Sequence, residues 1–519
     1  MGKRDLFKTF VVPMAVASAK DKTLCIQPIP DVPGKRYIRL LHLLGRGKQE
    51  VEDISCTLSV VDVDAALDDY DALSYVWGED RQPEARIQVN GQKFKITSGL
   101  HCALIKLRRS FHTRTLWVDS ICINQNDVGE KAKQVALMAD IYRNAAQTVV
   151  WLGKGAEDSL SAIHRIKFLS CVRSDLARDK EIDSDNLDTA NGVGPSAEFQ
   201  QAIMAVTDHQ WWKRVWTAQE IVLAKKATIH QGSQELRWAE FESVIELGMR
   251  VFWKDNEVSW GRIRTDANAV SPVKQYRLLK SLRNPPAELN NPADLLLYFL
   301  FQTRSRMSTD PRDKIFSLLG LLSPNDVKVL GIEPDYTRSE KDVYTAAARN
   351  IILVSDNLDI LGACTSPSHA RIPSLPSWMP DWGYRRDPSS SSECLVSPMT
   401  EDAKGARRTT HASGGAATNM SWEDGGDTLV AEGHCVDVIS QVSCAADFQP
   451  DPISPATPTS GNSVDENNDQ TKSGFFGNPV GFFYEAHDGF SFRKPHKTVA
   501  FVRESARRFV TQEFSACFE

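Results

Sequence analysis

Apolar and polar positions alternate most tellingly between Leu116 and Gly153, and the pattern predicts a strand, a capped helix and a second strand. Leu116 to Ile121 reads as a buried strand that the acidic Asp119 interrupts. Asp127 can cap the following helix, with Glu130 three residues on to complete a capping box. Val135, Met138, Ala139, Tyr142 and Ala146 then recur at the spacing of one helical face, as a core stripe does. Thr148 to Leu152 is a β-branched and aromatic run closed by Gly153, a second buried strand. Two strands joined by a crossover helix favour a parallel pair and an α/β core. Ligands of such sheets bind at the carboxyl ends of the strands, where Ser120 to Asn126 would lie.

The flanking pattern adds elements on both sides. Strands are expected at Arg36 to Leu44, Ile54 to Val63 and Ala72 to Trp77. Asn90-Gly91, between apolar Ile87 and Val89 and apolar Phe94 and Ile96, predicts a tight hairpin. Ser98 can cap a helix carrying Leu100, Leu104 and Leu107. Ser159 to Cys171 reads as helical, and polar Arg173 to Pro195 as a surface insertion. Ala197 to Leu223 predicts two helices meeting near Asp208, followed by a hairpin around Gly232 and a helix over Arg237 to Met249.

These elements divide the chain. Residues 1–35 form a flexible N-terminal segment and 36–249 an α/β domain with an N-terminal β extension. Residues 250–384 are mostly helical, with Pro292 at a helix first turn, Asp310-Pro311 before RDKIFSLLGLL, and Ser339 with Asp342 opening VYTAAARNIIL. From 385 to 519 the composition shifts to Ser, Pro, Gly, Asp and Asn, which predicts disorder. An isolated strand at 428–443 and a helix at 497–514 are the exceptions.

Composition changes this picture mainly by exclusion. A formal net charge of −6 over 519 residues gives no electrostatic case for nucleic acid. Ten cysteines without a CxxC pair fit neither a zinc site nor a disulfide scaffold. The apolar FVVPMAVASA near the N-terminus superficially resembles a signal peptide, but Pro13 breaks it and Lys8 and Lys20 flank it. No later run is long enough to span a bilayer. The expectation is a cytoplasmic protein. Phosphate-loop, dinucleotide-fingerprint, zinc-protease and nucleophile-elbow motifs are all absent from the sequence.

Three constellations could carry chemistry. The first is Leu73 to Gly78, with Tyr75 and Trp77 at the end of a strand; core packing is the simpler reading of that tryptophan. The second is Asp119 with Asn124 and Gln125, at and beyond a buried strand, where a carboxylate is costly unless partnered. Capping the turn through backbone N–H groups explains it equally well. The third is WWKRVWTAQE, Trp211 to Glu220. Glu220 falls over Trp216 on a helix and has no basic residue three or four positions away, so the usual helical ion pair is missing. Its pKa would be raised unless Arg114, Arg143 or Arg214 reaches it.

DALSYVWG, LWVDSICINQ followed by QVALMADIYRNAAQTVVWLG, and WWKRVWTAQEIVLA followed by HQG together resemble the heterokaryon incompatibility (HET) domain of filamentous fungi, over Tyr70 to Trp238. RYIRLLHL, DPRDKIFSLLGLL, DVYTAAARNI and LPSWMPDW fit the usual flanks of that domain. The resemblance implies non-self recognition between fused hyphae, ending in programmed cell death, with protein partners (self or an incompatibility partner). It also implies a doubly wound, mainly parallel α/β sheet distantly related to the Toll/interleukin-receptor (TIR) domain, with flanking helices. Some TIR relatives cleave NAD with one glutamate, so no resident cofactor is required and NAD is the implied substrate. On that analogy Glu220 and Asp119 are the candidate catalytic carboxyls. Tyr75, Trp77, Asn124, Gln125, Arg214 and Trp216 are the candidate substrate-binding residues. A non-enzymatic module acting by self-assembly or partner recruitment is the alternative.

Overall fold

A computed structural model describes residues 28–48, 53–77, 85–155, 162–168, 170–171, 197–251, 272–364, 372, 375–383, 420–423 and 427–431. The N-terminal apolar segment, the polar stretch 173–195 and the helix expected at 497–514 lie outside them. Two compact units divide the chain, Met1–Ser355 and Asp356–Glu519.

The first unit is a mixed α/β fold around a sheet ordered β5-β4-β2-β1-β6-β3-β7-β8-β9. The strands are β1 Tyr37–Leu43, β2 Ser55–Asp62, β3 Asp71–Tyr75, β4 Ala85–Val89, β5 Gln92–Ile96, β6 Arg114–Trp117, β7 Gln147–Trp151, β8 Ala227–Gln231 and β9 Gln234–Arg237. β6, β3, β7 and β8 run parallel and form its centre. The strands before and after the crossover helix are therefore parallel, as their pattern predicts. They are not partners, however: β3, from earlier in the chain, lies between them. Nor is the sheet mainly parallel. Four of its eight pairings are antiparallel, because β1 and the two hairpins reverse direction at the flanks.

Among the described residues the helices of this unit include α1 Ser98–Leu107, α2 Asp119–Cys122, α3 Val128–Asn144, α4 Ala197–Thr207, α5 Trp216–Val222, α6 Trp238–Val251, α7 Pro272–Arg283, α8 Pro292–Thr303, α9 Asp313–Leu319, α10 Pro324–Leu330 and α11 Glu340–Ser355, and residues 162–168 are helical as well. Local chemistry explains most of their ends. Asn90 and Gly91, with φ of 51° and 75°, make the left-handed two-residue turn of the β4–β5 hairpin. Asn291 caps α8 with Pro292 at its first turn. Thr97, not Ser98, caps α1 by accepting from Leu100 N–H, because the helix starts one residue earlier than its apolar stripe implies. Asp127 caps α3 through Glu130 N–H, but the reciprocal half of a capping box is missing. The Glu130 carboxylate instead forks onto Arg39 and accepts Asn124 N–H at 2.7 Å.

The core follows from the stripes. Val135, Met138, Ala139 and Tyr142 of α3 are buried, with Trp117 of β6 edge-on to Tyr142 at 5.7 Å. Gly320, just after α9, permits a close approach. A Cβ there would lie 2.6 Å from Ala139 Cβ and 2.8 Å from the Gln219 side-chain amide. Gly320→Ala is accordingly expected to destabilise the fold by about 1–3 kcal/mol, measured as a lower denaturation midpoint at unchanged slope.

In the second unit Asp381 accepts from Ile372 N–H and Gly383 N–H. β10 Met420–Glu423 pairs antiparallel with β11 Thr428–Ala431. The strand expected from 428 is thus half of a hairpin, and its partner comes from a stretch read as disordered; Trp422 faces Leu429 across the pair.

Candidate functional site

β3 and β6 lie side by side and point the same way, so the residues just past them share the carboxyl edge of the sheet. Expecting a strand through to Ile121 proves wrong: β6 stops at Trp117, and Val118 turns the chain into the single-turn α2, of which Asp119 is the first residue. Asp119 is therefore not a carboxylate inside a strand. It accepts from Ser120 N–H at 2.7 Å and from Trp77 Nε1 at 2.9 Å. Ser120 Oγ is 2.6 Å from Tyr75 Oη. Gln125 Nε2 donates to the Asp119 carbonyl at 3.0 Å, and Asn124 Oδ1 accepts Asn126 N–H at 3.2 Å. These two amides stabilise the turn that carries Asp119.

Glu220 approaches from the other side, on α5. A 3-10 turn over Gln210–Lys213 precedes that helix, and His209 caps the turn through Trp211 N–H. Trp211 and Trp212 are fully buried in a cluster with Trp238 and Phe241, which fixes the turn against α6. Trp211 Nε1 donates to Ser74 Oγ at 2.6 Å, and Ser74 donates to the Glu220 carboxylate. Thr148 Oγ1 of β7 donates to the Glu220 carbonyl at 3.3 Å. Arg214 Nη1 donates to the Tyr75 carbonyl at 2.7 Å.

Tyr75, Trp77, Asp119, Arg214 and Glu220 thus converge on one edge. Trp216 does not join them, because its indole hydrogen-bonds Asp313, which also accepts from Tyr336 Oη at 2.7 Å. Of Arg114, Arg143 and Arg214, only Arg214 acts on Glu220, as a nearby charge and not as an ion pair. Arg114 and Arg143 pair with Asp71 and Asp140 at 2.7 Å each. Ser74 and Trp211 fall within the first and third constellations but are not among the candidate residues, and Arg306 lies outside all three. A serine inside the buried strand DALSY was the one available signal, since a buried hydroxyl needs a partner. Nothing local marks Arg306.

The electrostatics separate the two carboxyls. Burial pushes Glu220 up from the ordinary 4.5 to about 7, against the pull of Arg214 and the Ser74 hydroxyl, with the Asp119 charge pushing the same way as burial. Burial also raises Asp119, offset by Arg214 and Trp77, although Asp119 keeps part of its surface open to solvent. Tyr75 and Tyr142 are raised well above 10 by burial and stay protonated. A carboxyl poised near neutral pH, under the charges of a second carboxyl and a guanidinium, can exchange a proton and stabilise a developing cation. Among the described residues no group of three or more His, Cys, Asp or Glu side chains is arranged to hold a metal ion.

The raised Glu220 value has a signed consequence. Between pH 4.5 and 7 the folded chain holds a proton that the unfolded chain has released. That contribution to stability is complete below 4.5 and is lost as pH rises through 7. Relative to Glu220→Gln, the native protein is expected to lose up to about 3 kcal/mol across this window, measured by urea unfolding at a series of pH values.

Glu220 is 5% exposed and Ser74 1%, whereas Asp119, Trp77 and Arg214 each keep part of their surface open to solvent. A cavity of about 170 Å³ opens elsewhere, between α6 and α7, lined by Trp238, Glu242, Glu246, Tyr276, Lys280 and Arg283 among others. It contains none of the carboxyl-edge residues. Among the described residues no helix is long and apolar enough to cross a membrane.

Comparison with known proteins returns a family model described as "Heterokaryon incompatibility protein (HET)", matching residues 70–220. The chain is also similar to "Heterokaryon incompatibility protein 6, OR allele" of Neurospora crassa, 29% identical over 402 residues, 67% of this chain and 58% of that relative. It therefore spans little more than half the length of the curated relative it matches. No solved structure matches significantly.

Proposed function

We propose, from the match of residues 70–220 to the HET family model, that this chain acts in fungal heterokaryon incompatibility and executes the response through chemistry at the Asp119–Glu220 edge. The reaction is hydrolysis of the nicotinamide–ribose bond of NAD: nicotinamide leaves with the bonding electron pair, water adds to the ribose carbon, and the proton that water loses passes to a carboxylate. That bond breaks through an oxocarbenium-like transition state, which a carboxylate beside the ribose stabilises. The observation that carries the reading is the gathering of Tyr75, Trp77, Asp119, Arg214 and Glu220 past the carboxyl ends of parallel strands, with the Arg214 charge acting on both carboxyls. Tyr75, Trp77 and Arg214 would hold the dinucleotide, and loss of NAD would bring on cell death. The parallel run β6-β3-β7-β8 with its crossover helix supports the TIR-like reading of the fold. In this reading the protein works in the cytoplasm, triggered by a protein partner.

One observation favours a second reading. Glu220 is almost fully enclosed and Trp216 is spent on Asp313, as in a module whose motifs are core and whose surface recruits a partner. A single experiment separates the two. The full chain and Glu220→Gln are expressed in a filamentous fungus, and NAD and viability are followed together. The enzymatic reading expects NAD loss to fall at least about 100-fold in the variant, and death with it. Death that persists while NAD stays constant removes the enzymatic reading and leaves the recruiting module.

A further inference from the structure

Arg306 lies outside the HET-matched residues, between α8 and α9, and is 1% exposed. Its Nη1 donates to the Arg214 carbonyl at 2.9 Å and to Thr217 Oγ1 at 3.0 Å, and its Nη2 donates to Gln275 Oε1 at 2.9 Å. The first two acceptors bracket Val215 and Trp216, where the chain enters α5. Thr217 Oγ1 also donates toward the Trp211 and Arg214 carbonyls, at 3.0 and 2.8 Å.

The neighbouring backbone is stitched to the same place. Met307 N–H donates to the Lys213 carbonyl at 2.5 Å, and Val215 N–H donates to the Met307 carbonyl at 2.8 Å, a parallel bridge centred on Arg214 and Met307. Lys314, 3% exposed, closes behind it, with Nζ on the carbonyls of Arg304 and Arg306. The segment from Arg304 to Lys314 is therefore bound along Lys213 to Thr217, the turn that leads into the helix of Glu220.

Burying a guanidinium is expensive, and an apolar side chain of similar volume commonly serves stability as well or better. The charge on Arg306 is felt at Glu220, and its fork sets the residue that carries the Arg214 side chain. We propose that Arg306 is a positioning residue of the carboxyl site, holding the Arg214–Thr217 turn so that Arg214 and Glu220 face each other, and offsetting the Glu220 charge. The site is then composite: the matched segment supplies the reacting groups and the helical segment sets their geometry. The inference rests on the reading of Glu220 as the working carboxyl.

The test uses the full chain, with the Glu220 carboxyl followed by carbon-13 NMR and identified by its absence in Glu220→Gln. In Arg306→Gln the titration midpoint of Glu220 is expected to rise by about one pH unit, because a nearby cation is lost. In Arg306→Lys the charge remains and the midpoint is expected to stay within about 0.3 units, but one ammonium cannot span the carbonyl and the hydroxyl together. NAD turnover is expected to fall at least about tenfold in kcat, with KM little changed, in both variants. Lower stability with the midpoint and kcat both unaltered would make Arg306 a structural residue and overturn the proposal.

Should Arg306→Gln fail to fold, Gln275→Leu loosens the far end of the fork. There the charge stays and the Glu220 midpoint is expected to hold, so a lowered kcat supports the proposal and an unchanged kcat overturns it. If Glu220→Gln leaves NAD loss untouched, the enzymatic reading falls. The midpoint shift still decides the role of Arg306.

Discussion

Replacing Ser74 with Ala is expected to cost the fold about 2–5 kcal/mol at pH 8 and distinctly less at pH 5. The hydroxyl joins two groups that have no water to turn to: it accepts the Trp211 indole N–H and donates to Glu220. Its loss leaves a buried donor and a buried acceptor unsatisfied, each worth about 1–3 kcal/mol, and more when the acceptor is charged. At pH 5 Glu220 is largely protonated, since its value is near 7. A hydroxyl donating to a neutral acid is worth less than one donating to a carboxylate, so the pH dependence is part of the prediction. Urea denaturation of both proteins at the two pH values provides the check. An equal cost at pH 5 and pH 8 would show that the Ser74 partner is not a titrating carboxyl.

Arg39→Met is expected to cost about 3–5 kcal/mol, although Met matches much of the volume of the arginine stem. Arg39 is 2% exposed and sits on β1, with its guanidinium forked over Glu130 of α3 and Nη1 on the Cys122 carbonyl at 2.9 Å. Glu130 is nearly as enclosed, at 9%, so removing its partner strands a buried charge. Glu130 Oε1 also receives Asn124 N–H, which ties the turn after α2, and through it Asp119, to the same pair. Arg39→Met should therefore loosen that turn as well as lower stability. The double variant Arg39→Met/Glu130→Met tests the cause, because taking out both charges is expected to restore most of the loss. If the double variant is as unstable as the single one, packing rather than an orphaned charge accounts for the cost.

What the sequence made legible follows from how local each determinant is. Asn90-Gly91, Pro292 and Asp127 act within a few residues of themselves, and the elements they bound lie within a residue or two of their patterns. The apolar face of α3 is equally local, since its period alone marks it. Strand order was not legible. β3 enters between β6 and β7 through pairings at separations of dozens of residues, and no periodicity records which parallel neighbour a buried strand selects. The end of β6 is hidden in the sequence for a related reason. Val118, Ile121 and Cys122 are buried whether they belong to a strand or to a helical turn, so burial hid the change of conformation at Asp119.

The candidate site divides in the same way. A glutamate among tryptophans with no basic neighbour on its own helix marks Glu220 from sequence, and its raised value follows from enclosure. Its supports come from far along the chain: Ser74 lies 146 residues away. Arg306, which the cationic balance at Glu220 also involves, belongs to a segment that reads only as a loop before a helix.

The central claim is that Asp119 and Glu220 form one electrostatically coupled site. Titrating the Glu220 carboxyl by carbon-13 NMR in the native chain and in Asp119→Asn addresses it directly. The predicted result is a midpoint of about 7 in the native chain, falling in Asp119→Asn as the neighbouring negative charge is removed. A midpoint near 4.5, or one that does not respond to the loss of Asp119, would contradict it.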